Sequence, residues 1–289
     1  MASVRTLYDL VPGAIVADRF RIVAPHRQGG LSAAFAVLDG KTGETCELQY
    51  FPAGLFEIHA QVEEFRTILL PWKRVRAGGV LAVREVLSIG PGSLVLVTDL
   101  PRGESLRARL KRDGKLDPVP AIRLGCRILE ALEAIHSHEL VHGDIKPFTI
   151  HLPEVDSDGL PQPLLVDGGL TPGLWTAKGL GDRTALIGTP YYAPIEQFGG
   201  ESPDVRSDVY NVATVLFECV TGVLPWPGRS FLEVFQAKLA RRPPTMRQRA
   251  PAVQVDPAIE RVIVRGCLAD REERPATAAE FRAALAALL

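Results

Sequence analysis

The spacing of hydrophobic and polar positions changes along this chain, and the change predicts short strands first and helices later. In the first hundred residues apolar side chains mostly alternate with polar ones over short runs that end at glycine-containing turns. A period of two is typical of half-buried strands. The predicted strands cover residues 20–23, 33–38, 45–51, 80–87 and 94–98, after a lead-in over residues 1–18.

Apolar residues three or four positions apart predict helices in the remaining stretches. The first helix is predicted over 55–70, between the third and fourth strands, and a short one covers 105–112. A long helix follows Asp117, a predicted N-cap, and runs to about His138. The last helix, 278–289, opens with a capping box formed by Thr277 and Glu280. His136 and His138 are expected to be surface or helix-end residues.

Composition and charge argue against a nucleic-acid partner. The chain has 289 residues, 46% of them hydrophobic and 23% charged, and its formal net charge is −1. These values are ordinary for a globular protein, and so small a net charge generates no field that attracts nucleic acid or an anionic membrane. The most basic stretch, 238–249, is interpreted as a solvated loop, with a site for an acidic partner as the less favoured alternative.

The cysteines and the longest apolar stretch favour a cytoplasmic protein without a membrane span. The four cysteines lie far apart and show no C-x-x-C spacing, so we expect reduced, mostly buried thiols and no zinc site. The N-terminus lacks a charged-then-apolar signal pattern. Residues 212–226 are interrupted by Glu218 and Gly222 and are too few to cross a bilayer. Anchoring through another chain stays open.

The candidate chemistry lies in two short segments that each present an aspartate after an apolar run. Residues 141–150 read V-H-G-D-I-K-P-F-T-I, with Asp144 and Lys146, and residues 164–169 read L-L-V-D-G-G, with Asp167. Two carboxylates and one cation suit phosphoryl transfer. One aspartate takes a hydroxyl proton, the lysine steadies a phosphate and the other aspartate holds a metal.

These segments resemble the catalytic loop H-R-D-x-K-P-x-N and the metal-binding D-F-G of bacterial Ser/Thr protein kinases that are similar to the eukaryotic family. Further motifs follow in the family's order: G-T-P-Y-Y at 188–192, P-I-E-Q at 194–197, D-V-R-S-D-V-Y at 204–210, and C-L followed by R-P within 267–275. The resemblance implies an α+β, bilobal protein-kinase-like fold with a small β-rich N-lobe and a larger helical C-lobe. The implied domains are 19–98, a connector at 99–103, and 104–289.

The resemblance also implies roles for individual residues. Asp144 and Lys146 are the catalytic candidates, Asp167 is the metal ligand, and Thr149 is a weaker one. His142 is a packed scaffold residue, Asp208 caps the backbone of the catalytic loop, and Glu196 pairs with Arg274. The residues implied in nucleotide binding are Gly29, Gly30, Glu47, Gln49, Glu64, Asp99 and Pro101.

Several of these positions depart from the family's pattern. Gly143 stands where Arg is usual, which argues against control through a phosphorylated activation loop, while Thr149 replaces Asn and Gly168 replaces Phe. On the third strand Gln49 replaces the phosphate-gripping Lys and Glu47 replaces the small Ala. A carboxylate buried there is costly unless it is paired. We therefore hypothesise an ion pair between Arg27 and Glu47 that fills the nucleotide site.

Retained scaffold residues combined with altered chemical residues predict a pseudokinase, a signalling or scaffolding module with weak or absent ATP and Mg²⁺ binding. The alternative is a slow but active Ser/Thr kinase that uses ATP and Mg²⁺. A third possibility is that nucleotide binds without metal. The expected partner is a protein: another kinase, a substrate or a second copy. Thr171, Thr176 and Thr184 are candidate phosphorylation sites, and the family resemblance suggests bacterial signalling.

Overall fold

The computed structural model describes residues 7–28, 32–90, 92–153, 155, 162–179, 190–240 and 242–289. The predictions for Gly29, Gly30, Thr184 and residues 188–189 lie outside the described residues. The chain divides into two compact units. The first contains residues 1–76 and 81–101, and the second contains 77–80 and 102–289.

The first unit is built on a six-stranded antiparallel sheet with the order β1-β2-β3-β4-β6-β5. Helix α1 (His59–Leu69) packs against β5 and β6 of this sheet. The strands are β1 (Ile15–Val16), β2 (Phe20–Gln28), β3 (Ala33–Asp39), β4 (Thr45–Phe51), β5 (Val83–Ile89) and β6 (Ser93–Asp99).

Both faces of β4 are buried, and this decides the surroundings of its polar residues. Leu48 and Tyr50, on one face, belong to a hydrophobic cluster that also contains Phe20. On the opposite face the Phe51 ring meets the edge of Phe65 from α1, with ring centroids 5.2 Å apart. Because side chains alternate along a strand, Glu47 shares the Phe51 face and lies in the interior.

The second unit is mostly helical. Its small antiparallel sheet contains β7 (Glu104–Ser105), β8 (Ile150–Leu152) and β9 (Leu164–Leu165). The helices are α2 (Leu106–Asp113), α3 (Pro118–His136), α4 (Leu170–Ala177), α5 (Ile195–Phe198), α6 (Val205–Thr221), α7 (Phe231–Lys238), α8 (Met246–Arg249), α9 (Pro257–Gly266) and α10 (Ala278–Ala286).

Helix α6 is the core of the second unit, since its residues from Ser207 to Thr221 are all buried. Helices α3, α9 and α10 pack against it. Gly125 permits the close approach of α3, because a Cβ there would lie 2.8 Å from Leu216 Cδ1. In the described part of the chain, no helix combines the length and apolar character that crossing a bilayer requires.

The predicted α+β class is correct, but several element boundaries differ. The helix predicted over 55–70 begins at His59, after a short 3-10 turn, and Ile58 is exposed. The strand predicted from residue 80 begins at Val83. Asp117 occupies the N-cap position of α3, but its side chain accepts no capping hydrogen bond.

Candidate functional site

In the second unit, the loop between α3 and β8 carries the predicted catalytic pair. Lys146 Nζ donates to Asp144 Oδ2 at 2.6 Å. The same oxygen accepts a hydrogen bond from Thr171 Oγ1 at 3.1 Å. The carboxylate therefore has a cation and a hydroxyl on one oxygen, and its side chain retains 17% exposure.

The surroundings of Asp144 act on its pKa in opposite directions. Burial raises the pKa of this carboxyl group, while the Lys146 ammonium and the Thr171 hydroxyl oppose the shift. The net result is a pKa above the ordinary value for aspartate. A carboxyl group with a raised pKa is a stronger proton acceptor than an ordinary surface aspartate, which suits a general base.

Thr149 has a structural task in this loop. Its buried hydroxyl donates to the carbonyl oxygens of Asp144 at 2.9 Å and Lys146 at 3.1 Å, and it accepts from Lys146 N at 3.1 Å. These bonds brace the catalytic loop from inside. The predicted weak metal role of Thr149 therefore competes with bonds that the loop already uses, and it stays a prediction.

Asp167 is held next to the catalytic loop by backbone bonds on both sides. Val166 N donates to Thr149 O at 3.0 Å, and Gly169 N donates to His142 O at 3.0 Å. Asp167 itself has a positive φ of 63°. The described residues contain no group of three or more His, Cys, Asp or Glu side chains placed to hold a metal ion. The metal role of Asp167 stays a prediction.

His142 and Asp208 form the support beneath this loop. Asp208 accepts from the backbone N–H groups of His142 and Gly143 at 2.9 and 2.8 Å. His142 is fully buried, and its Nε2 lies 3.0 Å from Val166 O. Burial lowers the pKa of His142, so the ring is neutral, as a packed scaffold residue requires.

His136 makes a contact at the same place that the sequence analysis did not predict. It was expected as a surface or helix-end residue, and its position at the helix end is confirmed; its side chain is 12% exposed and its Nε2 lies 2.9 Å from Asp208 Oδ2. His138 is exposed, as expected. His136 is the last residue of α3, so the long helix contributes a partner to the aspartate that supports the catalytic loop.

The predicted pair between Glu196 and Arg274 is present and buried. Arg274 Nη1 and Nη2 donate to Glu196 Oε1 and Oε2 at 2.7 and 2.9 Å. Arg274 also donates to the carbonyl oxygens of Leu268 at 2.7 Å and Ala269 at 3.0 Å. Two oxygens and two nitrogens in parallel give the strongest geometry of such a pair.

Lys238 was placed in a solvated basic loop, and that interpretation is wrong for this residue. It is 1% exposed, and its ammonium group donates to Ala193 O at 2.5 Å and to Tyr191 O at 3.2 Å. Tyr210 supplies a third acceptor, its hydroxyl oxygen, at 3.3 Å. Lys238 thus links α7 to the backbone of residues 191–193.

In the first unit, the predicted ion pair between Arg27 and Glu47 is confirmed. Arg27 Nε donates to Glu47 Oε2 at 2.8 Å, and Arg27 Nη2 donates to Oε1 at 2.5 Å. Gln49 Nε2 also donates to Oε1, at 3.3 Å. Glu47 is 0% exposed, so the arginine neutralises a fully buried carboxylate.

A third partner of Glu47 was missed by the sequence analysis. His26 Nδ1 lies 2.6 Å from Glu47 Oε2, although His26 and Arg27 are consecutive and would normally point to opposite faces. The β2–β3 register explains this arrangement, because it shifts by one residue between Pro25 and Arg27. Such a bulge directs two consecutive side chains to one face.

The remaining nucleotide-binding candidates are not gathered at this cluster. Glu64 is exposed on α1, while the neighbouring Glu63 accepts from Ser88 Oγ at 2.7 Å. Asp99 N donates to Ala82 O at 3.0 Å, so this backbone donor is already used inside the first unit. Pro101 is buried and has no backbone N–H to offer. The roles of these residues in nucleotide binding stay predictions.

Comparison with known proteins identifies the family. The sequence model of the protein kinase domain matches residues 72–284, well over half of the chain. The chain belongs to the protein kinase family. The predicted kinase-like fold, with a β-rich smaller part and a larger helical part, is therefore confirmed. Residues 1–71, which include Arg27, Glu47 and Gln49, lie outside the matched range.

Similar proteins include bacterial Ser/Thr kinases. The chain is 26% identical to serine/threonine-protein kinase pkn3 of Myxococcus xanthus over 97% of its own length and 52% of that protein. It is 32% identical to serine/threonine-protein kinase PkaA of Streptomyces coelicolor over 86% of its length and 44% of that protein. The chain thus spans about half, or less, of the curated relatives it matches.

The family implies ATP with Mg²⁺ as the ligands of a kinase site. By the sequence comparison, a cation is expected at the position of Gln49 and a small side chain at the position of Glu47. Here a carboxylate and an amide stand there, and both are almost completely buried in bonds to their neighbours. The catalytic loop, in contrast, keeps a carboxylate and a lysine in mutual contact.

Proposed function

We propose that this kinase-family chain is a pseudokinase, a binding or regulatory module that neither requires nor turns over ATP with Mg²⁺. The observation that carries the proposal is the buried Glu47 carboxylate, which Arg27 binds through both oxygens. A phosphate group would meet a carboxylate and an amide on this strand where the family presents a cation.

The energetics of the cluster oppose its rearrangement for a ligand. Removing one partner of a buried ion pair typically costs about 3–5 kcal/mol, because a charge is left uncompensated. A nucleotide that drew Arg27 towards its phosphates would leave the fully buried Glu47 with His26 and Gln49 only partly replacing the arginine. Much of the binding energy would be consumed in that exchange.

We further propose that the module acts through a protein partner, such as another kinase, a kinase substrate or a second copy, in a cytoplasmic signalling setting. The support is indirect: a fold that has lost its ligand chemistry retains shape and surface for recognition. The domain limits 19–98, 99–103 and 104–289 belong to the same proposal.

The test is thermal unfolding with ATP, in buffer alone, with Mg²⁺ and with Mn²⁺. A ligand at about one hundred times its Kd stabilises the folded state by about 2.7 kcal/mol. That raises Tm by several degrees for a chain of this size. We expect no shift at millimolar nucleotide. Each metal without nucleotide serves as the control, since either ion alone can alter Tm.

The second candidate is a slow Ser/Thr kinase, and a specific observation favours it. Asp144 and Lys146 keep the contact that the reaction needs, and the names of the similar proteins describe Ser/Thr kinases. In this candidate, Asp144 accepts the proton of the acceptor hydroxyl. A metal-dependent rise in Tm that disappears in D167N would favour it over the pseudokinase. A rise without metal would indicate nucleotide as a structural ligand.

A further inference from the structure

A buried ammonium group joins helix α7 to two other helices of the second unit. Lys238 is the last residue of α7 and is 1% exposed. Its Nζ donates to the backbone oxygens of Ala193 and Tyr191 at 2.5 and 3.2 Å, and to the hydroxyl oxygen of Tyr210 in α6 at 3.3 Å. The rings of Tyr210 and of Phe198 in α5 lie 5.1 and 5.6 Å from Nζ. The end of α7 is therefore held by one side chain.

No carboxylate is among the hydrogen-bond acceptors that the described residues offer to Lys238. Glu196, an acidic residue close to it in α5, gives both carboxylate oxygens to Arg274. The Arg274 guanidinium lies 4.8 Å from the centroid of the Tyr210 ring, so a second cation shares that ring with Lys238. Burying a charge without an opposite charge in contact is unfavourable. The position of Lys238 next to α5 and α6 therefore favours the neutral amine.

The groups around Lys238 agree with this expectation. Burial lowers the pKa of Lys238 to about 7, from 10.5 in water. Of the charged and titratable groups that face it, Cys267 and Glu196 oppose the shift and Arg274 adds to it. Burial raises the pKa of Cys267 and of Tyr210, so both keep their protons near neutral pH. Lys238 thus binds its proton more tightly when water reaches Nζ than when α7 is docked.

Helix α7 also covers an aromatic ring of α5. The ring centroids of Phe231 and Phe235 lie 5.1 and 5.6 Å from that of Phe198. Phe198 is consequently only 6% exposed. If α7 moved away from residues 191–198, the Lys238 ammonium group and the Phe198 ring would both meet water. Protonation of the amine and exposure of the ring are therefore coupled.

We infer that Lys238 is a proton-dependent latch for α7, which leaves residues 191–198 more readily in acid than in base and uncovers the Phe198 ring when it leaves. The detached form holds the extra proton, so the fraction of molecules in that form falls about tenfold per pH unit between about pH 8 and 10. Well below pH 7 both forms are protonated, and the fraction becomes constant. The latch lies within the second unit and does not rest on the nucleotide chemistry proposed above.

The test is hydrogen exchange of the α7 amides at pH 8 and 9 in wild type, K238M and K111M. Hydroxide catalyses exchange, so the rate of an open amide rises about tenfold per pH unit, and the observed rate is this rate multiplied by the open fraction. In wild type the two effects cancel, and we expect the α7 rate to change less than about twofold. In K238M nothing titrates at this position, so the rate should rise about tenfold. K111M makes the same change at an exposed lysine of α2 and should behave as wild type.

Two outcomes of this measurement would overturn the inference. A tenfold rise in wild type, equal to that in K238M, would mean that Lys238 does not control α7. Exchange of α7 as slow as that of the buried helix α6 would mean that only unfolding of the whole unit exposes Lys238.

A second measurement on wild type serves if K238M does not fold. The indole N–H of Trp226 donates to the hydroxyl oxygen of Tyr210 at 2.8 Å, the same oxygen that Lys238 binds. A neutral amine has a lone pair in place of one N–H, so the Tyr210 hydroxyl must then turn its proton towards Nζ. The NMR signal of the Trp226 indole, assigned by its loss in W226F, should move with a midpoint near pH 7. A signal that stays constant through this range would overturn the latch. The ATP measurement reports nucleotide binding alone, so either proposal can fail without the other.

Discussion

Two buried glutamates, Glu47 in the first unit and Glu196 in the second, each meet an arginine through both carboxylate oxygens, but the pairs differ in what else they hold. Arg274 is 0% exposed and, besides Glu196, reaches the backbone carbonyl groups of Arg206, Leu268 and Ala269, which lie in two separate segments. Arg27 is 18% exposed and shares Glu47 with a histidine and a glutamine. The same kind of ion pair thus joins separate segments of the chain in the second unit. In the first unit it neutralises a buried carboxylate on one strand.

Of the two pairs, the one that contains Arg274 should cost the most unfolding free energy when it is removed. Replacing Arg274 with methionine leaves a buried carboxylate and several carbonyl groups without their partner. We therefore expect R274M to lose about 3–5 kcal/mol of unfolding free energy. Chemical denaturation measures the loss. The control is R282M, because Arg282 pairs with Glu133 where both side chains are 41% and 30% exposed. This exposed pair should contribute only about 0–1 kcal/mol. A similar loss in both variants would contradict the scaffold role of Arg274.

Breaking the pair in the first unit should cost less unfolding free energy, and two uncharged side chains should be able to replace the pair. R27M leaves Glu47 buried with His26 and Gln49 as partners, so we expect a loss of about 2 kcal/mol, below the usual range for a buried pair. R27M/E47M removes both charges, and we expect it to be more stable than R27M alone. Denaturation of R27M, E47M and R27M/E47M gives the coupling energy between the two side chains. A double variant no more stable than R27M would show that charge is not what binds the pair.

Lys238 is a further difference between the two pairs, because it is another buried basic residue near Glu196 and Arg274. Burial lowers the pKa of Lys238 to about 7, against 10.5 in the unfolded chain. Below pH 7 both states are protonated and the full penalty for burying the charge is present. Above pH 7 only the unfolded state keeps the proton. The stability of wild type relative to K238M should therefore rise by about 1.4 kcal/mol per pH unit between 7 and 10.

Denaturation of wild type and K238M at pH 8 and 9, above the folded-state pKa, measures this slope. Burial raises the pKa of Cys267 to about 12 and also raises the pKa of Tyr210, so neither of these neighbours of Lys238 loses a proton in this interval. The carbonyl groups that K238M leaves unpaired add only a pH-independent offset. Parallel stability curves would contradict a titrating Lys238.

The sequence could predict contacts that depend on family order or on regular alternation. The Glu196–Arg274 pair and the support of the catalytic loop by Asp208 follow from the motifs, and the Arg27–Glu47 pair follows from the period of two on β4. The contact between His26 and Glu47 could not be predicted, because a bulge in β2 breaks the period of two. The contacts of His136, Lys238 and Thr171 escaped because each joins residues far apart in the chain through tertiary packing that periodicity does not encode.

Because of the bulge in β2, the partners of Glu47 depend on the number of residues in that strand as well as on their identity. One extra residue lets His26 and Arg27 point the same way, so deleting one residue just before His26 would restore regular alternation at this bulge. One of the two side chains, His26 or Arg27, would then turn away from Glu47 without any substitution. A change in the length of β2 can therefore remove or restore one partner of the buried carboxylate while His26, Arg27 and Glu47 all remain in the sequence.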